Sequence, residues 1–579
     1  MGKVDWNKQE DREKLWHSSS HVVAAAVKEL YPDALLAIGP AIEEGFYYDF
    51  DVKQPFRPED LQRIEARANE LIKKNERFVK KDISKKEAEK LFGNEKYKLE
   101  LIADLPGSKV CIYSTGKFVD LCKGPHIESA SQIGAVKLLR VAGAYWRGDS
   151  KNKMLQRIYG ISFPGKKMLD DWLHLREEAE KRNHLKLGAE LDLFSMHPEA
   201  PGCAFIHPKG MVVWNELLKF WREEHEKAGY VEIQTPMILK KELWLQSGHW
   251  DHYKENMYFT KIDEEDFAVK PMNCPGAILV FKARRKSYKE LPLRMAELGI
   301  VHRHELSGVL NGLFRVRKFT QDDAHIYCTE EQVEQEVMGA IDLIGRFYKK
   351  FGFPYHVELS TMPVNAMGSK QVWAKAEKAL QDALRKKKMQ FKVNEGDGAF
   401  YGPKIDFHIR DSLGRTWQCA TVQLDFSMPE KFDLSYVGKD DKAKRPVMIH
   451  RVVYGSMERF FGILIEHYGG AFPAWLAPVQ VALIAIADRH ANFAQKVRAL
   501  LEEKGIRVAL DLRQETVGAK VRDAQLQKIP FILVVGDREE KEGSVAIRLR
   551  NGKVLGAKKV EEFAQGLLEE IAEKKQLQG

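Results

Sequence analysis

Three residues far apart in the 579-residue sequence carry soft and borderline metal-ligand chemistry: Cys274, His325 and His450. Cys274 stands in the turn Lys270-Pro271-Met272-Asn273-Cys274-Pro275-Gly276, and His325 ends a run from Phe314 that is studded with Arg315, Arg317 and Lys318. His450 lies in Val447-Met448-Ile449-His450-Arg451-Val452-Val453-Tyr454-Gly455-Ser456-Met457-Glu458-Arg459. A Cys, His, His set would leave the fourth position of a tetrahedral zinc open, the arrangement of a catalytic site rather than a structural one. Spacing alone does not bring the three together.

A second group lies near the start. His17 and His21 are four apart in a helical pattern from about 12 to 30, hence on one face, and Cys122 and His126 repeat that spacing beside Asp120. Either pair alone is more often an incidental surface feature. Two pairs in one domain could converge as four donors.

The elements that must position these groups follow from periodicity. His302-Arg303-His304-Glu305, a loop over 306–313, and the return from Phe314 to His325 predict a hairpin with cationic side chains. The spacing predicts a charged helix over 57–80, a polar helix over 166–187, an amphipathic helix over 210–228 and a strand over 230–236. Period-2 runs at 404–409 and 416–422 add strands, so residues 188–474 read as an antiparallel sheet with inserted helices. After Pro473 and Pro478 strands (479–486, 506–512, 531–536) alternate with helices (491–504, 516–527), which predicts a parallel α/β unit. Neither GxGxxG nor GxxxxGK[ST] is present, so a nucleotide would have to be held by side chains.

Composition sets bounds on the function. The length predicts three or four domains, and 44% hydrophobic residues suffice for a core in each. A net charge of +9 suits a polyphosphate partner and equally many enzymes without one. Six cysteines show no disulfide framework, which predicts a reducing compartment. No apolar run approaches the roughly 18 residues that span a bilayer, so a cytoplasmic protein without a membrane partner is expected.

Together these pieces resemble the threonyl-tRNA synthetase family of class II aminoacyl-tRNA synthetases. Arg303-His304-Glu305 with its loop is similar to motif 2, Gly455-Ser456-Met457-Glu458-Arg459 to motif 3, and Tyr230-Val231-Glu232-Ile233-Gln234-Thr235-Pro236 to motif 1. The resemblance runs from about Trp16 to about Ile571 and implies a multidomain α/β and α+β protein. Its parts would be an α+β editing domain (1–165), a helical linker (166–187), a class II antiparallel catalytic domain (188–474) and an α/β anticodon-binding domain (475–579). Longer members carry a small ubiquitin-like domain ahead of the editing domain, at which this sequence begins.

The resemblance also assigns roles. Arg303 would meet the α-phosphate and Arg459 the adenine and γ-phosphate, with Glu305, Arg315, Phe319, Lys404 and Gln418 as further ATP contacts. Mg²⁺ would accompany ATP, and one Zn²⁺ per subunit would sit on Cys274, His325 and His450. Asp323, Tyr401, Gln423 and Met272 would bind L-threonine; Asp323 alone could equally cap a turn. His17, His21, Asp120, Cys122 and His126 would form the editing pocket, a zinc site in the alanyl relatives and a hydrolytic pocket in the threonyl family. Glu539 and Arg548 would read anticodon bases, with Gln514 standing where the family often has Asn. The implied activity is ATP-dependent ligation of threonine to tRNA(Thr) by a homodimer, with hydrolysis of seryl-tRNA(Thr). Two other readings remain: a catalytically silent synthetase-like RNA-binding protein, and a metallohydrolase built on the N-terminal His/Cys set.

Overall fold

The computed structural model describes residues 4–576 and divides into two compact units, 1–177 and 178–579. In the first, the helix Gln9–Leu30 buries one side, from Leu15 to Val27, against an antiparallel sheet. That sheet runs Leu35–Leu36, Gly45–Asp51, Met154–Phe163, Ala135–Tyr145. The helix expected over 57–80 covers Pro58–Lys73 only. Asn75, at a φ of 57°, turns the chain into the strand Phe78–Ser84, which pairs with Lys109–Thr115 and through it with Phe118–Leu121.

The polar helix expected over 166–187 is two helices, Lys166–Lys181 and His184–Glu190. The break falls at Asn183, whose side chain accepts from the amides of Leu185 and Lys186 and so caps the second helix.

The second unit is built on eight strands. Their spatial order is Val231–Glu232, Leu293–His302, Lys318–Cys328, Val447–Ser456, Thr416–Asp425, Lys404–Arg410, Tyr355–Ser360 and Phe391–Asn394. All neighbours are antiparallel except the pair at each end, which are parallel. One face is covered by the helices Pro208–Lys227, Val333–Phe351 and Met457–Tyr468, which share one large aromatic and aliphatic core with it. The other face is left for the site.

The strand expected over 230–236 is only Val231–Glu232. Beyond Ile233 the chain leaves the ladder because the Thr235 amide and hydroxyl turn to the buried Glu297 carboxylate, at 2.8 and 2.9 Å. Lys270 neutralises that carboxylate at 3.0 Å.

After residue 480 a five-stranded sheet runs Val508–Asp511, Val481–Ala485, Phe531–Val535, Ser544–Leu549, Val554–Lys559. The first three are parallel, as the alternation of strands and helices predicts. The last two form an antiparallel hairpin that the sequence reading did not contain.

Candidate active site and a second His/Cys cluster

The sheet brings the Cys, His, His set together: ligand atoms of Cys274, His325 and His450 all lie within 4.8 Å of one another. Each side chain is buried and comes from a different element. Cys274 opens the helix Cys274–Lys282, and His325 and His450 are cross-strand partners on neighbouring strands. His450 Nε2 meets Asp425 Oδ2 at 3.0 Å, which fixes the ring and leaves Nδ1 for a ligand. His325 Nε2 is buried without a hydrogen-bond partner among the described residues.

Burial pushes the Cys274 thiol well above its ordinary range and the His325 imidazole well below its own. A neutral imidazole keeps its lone pair, and a thiolate so buried needs a cation beside it. An orphaned ring nitrogen, a carboxylate-oriented histidine and a buried thiol fit an open zinc site.

Beside these groups lies a cavity of about 170 Å³ lined by Met272, Arg303, Asp323, Tyr401, Gln423 and Thr421, together with Cys274 and His450. Arg303 sits just beyond the end of the strand Leu293–His302. Its Nε donates to the Pro271 carbonyl at 3.2 Å, and its guanidinium stands 5.0 Å over the Phe319 ring. Burial raises the Asp323 carboxyl, and Asn273 Nδ2 donates to it at 3.3 Å. Asn273 fits there because residue 299 is glycine: a Cβ at Gly299 would lie 2.2 Å from Asn273 Oδ1. Gln423 Nε2 donates to the Gly402 carbonyl at 2.9 Å, and the Tyr401 ring packs 5.1 Å from that of His450. Met272 Sδ lies 3.0 Å from His249 Nε2.

The remaining expected nucleotide contacts line the same sheet and its loop. Lys404 and Gln418 both reach Asp406, each at 2.7 Å. Arg315 is paired with Glu305 at 2.9 Å, so a ligand phosphate would have to compete with a carboxylate for it. Phe319 is nearly buried against Val301 and Val316. Arg459 Nε donates to the Phe314 carbonyl at 2.9 Å, tying the helix Met457–Tyr468 to the loop after Glu305.

Asp322 holds the end of the strand Val447–Ser456, just before the helix that carries Arg459. The ladder between Lys318–Cys328 and Val447–Ser456 shifts register between Gln321 and Asp323, a bulge that frees three amides. The Asp322 carboxylate accepts from Val453, Tyr454 and Gly455 at 2.9, 3.0 and 2.8 Å. Burial lifts its pKa to about 6 even so.

In the first unit His17, His21, Cys122 and His126 also converge within 4.8 Å. Cys122 Sγ lies 3.3 Å from His17 Nε2 and 3.2 Å from His126 Nε2. His126 Nδ1 meets Ser18 Oγ at 3.0 Å, and His21 Nδ1 lies 3.4 Å from Asp120 Oδ2. Asp120 is itself held by the Tyr48 hydroxyl at 2.6 Å and by the buried ammonium of Lys98 at 2.5 Å. Desolvation depresses His17 and His21 and takes His126 down to about 2, while it pushes Cys122 up to about 11. The cluster is thus a set of neutral bases around a thiol, next to one buried ion pair.

The residues expected near the C-terminus come from three separate segments of the last sheet and its loops. Gln514 Nε2 donates to Asp488 at 3.2 Å in a concave surface with Ile486 and Thr516. Glu539 accepts from the Gly536 amide at 3.1 Å and caps the helix Asp537–Glu542, and Arg548 is exposed on the strand opposite Ile532.

The sequence reading missed Asp425, Asp406, Asn273 and Asp322 around the first cavity, and Tyr48 and Lys98 around the second cluster. Asp425 and Asp406 had a signal, for they follow Gln423 and Lys404 by two residues on the same strand face. Tyr48 and Lys98 had none, since they come from elements remote in the chain.

Family models match three stretches of the chain: "tRNA synthetase class II core domain (G, H, P, S and T)" over 258–468, "Anticodon binding domain" over 480–570, and "Threonyl and Alanyl tRNA synthetase second additional domain" over 110–159. The threonine–tRNA ligase of Caldanaerobacter subterraneus subsp. tengcongensis is 59% identical over 572 residues, covering 98% of this chain and 88% of that protein. That of Carboxydothermus hydrogenoformans is also 59% identical over 572 residues, covering 98% and 90%. Among solved structures, the RNA binding domain of threonyl-tRNA synthetase from Cryptosporidium parvum Iowa II matches with a TM-score of 0.65 at 40% identity, covering 67% of this chain and 98% of that one. An eight-stranded, mainly antiparallel core, an Arg-lined cavity beside a Cys/His triad, an N-terminal His/Cys cluster and identity over nearly the whole length agree: this chain belongs to the threonine–tRNA ligase family of class II aminoacyl-tRNA synthetases.

Proposed function

We propose that the cavity lined by Arg303, Asp323, Tyr401 and Gln423 activates L-threonine with ATP and passes it to the 3′ end of tRNA(Thr). A threonine carboxylate oxygen attacks the α-phosphorus, an oxygen–phosphorus bond forms as the α–β phosphoanhydride breaks and pyrophosphate leaves, and AMP leaves when the tRNA 3′-terminal hydroxyl takes the threonyl group. Negative charge grows on the α-phosphate as it does so, and Arg303 is a fixed cation at the cavity that would offset it. Arg459 and Phe319 would bracket the adenine, with Glu305, Arg315, Lys404 and Gln418 engaging the rest of ATP and its Mg²⁺. Asp323 would accept a hydrogen bond from the amino group of threonine, with Met272, Tyr401 and Gln423 lining the remaining wall.

Cys274, His325 and His450 would hold one Zn²⁺ per subunit. When bound, zinc supplies a Lewis-acid contact for the amino group and hydroxyl, which makes the hydroxyl obligatory and excludes valine. Serine keeps that hydroxyl and lacks only a methyl, worth about 1–3 kcal/mol, so it is activated as well. The editing domain of this family answers that leak by hydrolysis of seryl-tRNA(Thr), and His17, His21, Asp120, Cys122 and His126 are its pocket in this reading. Neutral imidazoles there are ready to orient a water toward the ester carbonyl.

The division of labour follows the same reading: editing in 1–165, a connector over 166–187, synthesis in 188–474 and anticodon recognition in 475–579 by way of Gln514, Glu539 and Arg548. Exposed Phe205, Met211, Val231, Met237 and Ile238 around the motif 1 helix and strand support a homodimer, which light scattering tests. Six unpaired cysteines, with no helix among the described residues long and apolar enough to cross a membrane, support a cytoplasmic location. The observation that carries the proposal is the meeting of Arg303, Asp323 and the Cys/His triad at one cavity. ATP–pyrophosphate exchange across the amino acids tests it: exchange with threonine, weaker exchange with serine and none with valine are expected, and a folded protein inert to all of them overturns it.

A further inference from the structure

A third set of convergent donors lies outside both clusters described above. His356 and Glu358 are on the strand Tyr355–Ser360 and His408 is on Lys404–Arg410, and ligand atoms of the three lie within 4.8 Å of one another. His356 and His408 are direct cross-strand partners whose rings stack at 4.9 Å and 11°. Glu358 follows His356 by two residues and therefore shares its face.

The carboxylate divides its oxygens between the rings. Oε1 lies 3.7 Å from His356 Nε2 and Oε2 lies 3.7 Å from His408 Nε2. Both separations are too long for hydrogen bonds. They are close to the roughly 3.3 Å between two ligands of one tetrahedral zinc whose bonds are about 2.0–2.1 Å. Asn394 Nδ2 donates to Glu358 Oε2 at 3.2 Å, an orienting contact of the kind that accompanies ligating carboxylates. Burial depresses the His408 imidazole and so favours the form with a free lone pair. His356 is half exposed, which leaves room for solvent ligands.

We propose that His356, Glu358 and His408 form a second-sphere-oriented surface site for a divalent transition-metal ion such as Zn²⁺, Co²⁺ or Ni²⁺, with water completing the coordination. Two imidazoles and one carboxylate suit these borderline ions better than Mg²⁺ or Ca²⁺, which take oxygen. A metal held there ties two neighbouring strands of the central sheet across their exposed face.

Cobalt distinguishes this site from the other two, because Cys274 and Cys122 give their clusters a thiolate and this one has none. Titration of the full-length protein with Co²⁺ is expected to show a ligand-field band that saturates without sulfur-to-metal charge transfer. His356→Ala and His408→Ala should each weaken that phase at least about 10-fold while any charge-transfer bands persist. Glu358→Gln should weaken it too, and its near-isosteric side chain controls for loss of fold. Variants that keep the parent's circular dichroism and titrate as the parent does overturn the proposal, as does a parent that shows no sulfur-free phase.

Discussion

His325 and His450 are direct cross-strand partners, their rings 5.0 Å apart and at 82° to one another, and they are the two imidazoles of the Cys/His triad. Strand pairing, rather than a loop, sets their separation, so the pair is as rigid as the sheet that carries it.

If that pair and Cys274 hold zinc, the purified protein retains one tightly bound zinc per chain through dialysis. Cys274→Ser, His325→Ala and His450→Ala should each lose it, by elemental analysis, and lose threonine activation with it. Full activation by a metal-free protein overturns the assignment.

Arg303→Ala removes a cation from the cavity while leaving the core untouched, because among the described residues its side chain hydrogen-bonds only to the Pro271 carbonyl. Pyrophosphate exchange should fall by at least about 3 kcal/mol in transition-state terms, roughly 100-fold or more, with an unchanged melting curve. Parental exchange in the folded variant would remove Arg303 from the α-phosphate.

Asp322 gives a pH dependence. Its carboxyl is raised by burial from 3.8 to about 6 in the folded protein, so protonation favours the fold. The contribution is complete below pH 4 and is lost as pH rises to about 6, amounting to about 3 kcal/mol. The stability of the parent minus that of Asp322→Asn, from urea unfolding, should therefore fall across that window and stay level above it. A difference that widens with pH would reverse the sign.

His21→Ala combined with Cys122→Ala should separate the two activities. Deacylation of preformed seryl-tRNA is expected to drop by at least about 100-fold, the scale of a lost general base, while threonine activation stays near the parent's. Equal deacylation by both proteins means that these side chains serve some other purpose.

The parts of this architecture that were legible in the sequence are those written in residue type and period. The strand at 404–410 alternates Ile405, Phe407 and Ile409 with polar residues because one face is core, and the triad was legible only through the motifs that surround its soft donors. What escaped depends on departures from period. The bulge at Asp322 has no composition signature, so an ordinary-looking aspartate in Gln321-Asp322-Asp323 hid the clamp on three amides. The strand over 230–236 ended early because Thr235 prefers a carboxylate contributed 62 residues later, a contact no local window contains. Tyr48 and Lys98 are invisible for the same reason.

The strand Val447–Ser456 comes last of the eight in sequence but sits fourth in space, between Lys318–Cys328 and Thr416–Asp425. Until the ribosome has released residue 456, the growing chain holds two partial sheets, each with an open edge facing the gap that this strand will fill. Open edges invite pairing with other chains, so the interval before their closure is the hazardous one in the protein's synthesis. A message cut short before residue 447 leaves the two sheets unjoined and lacks His450, Gly455 and Arg459 as well.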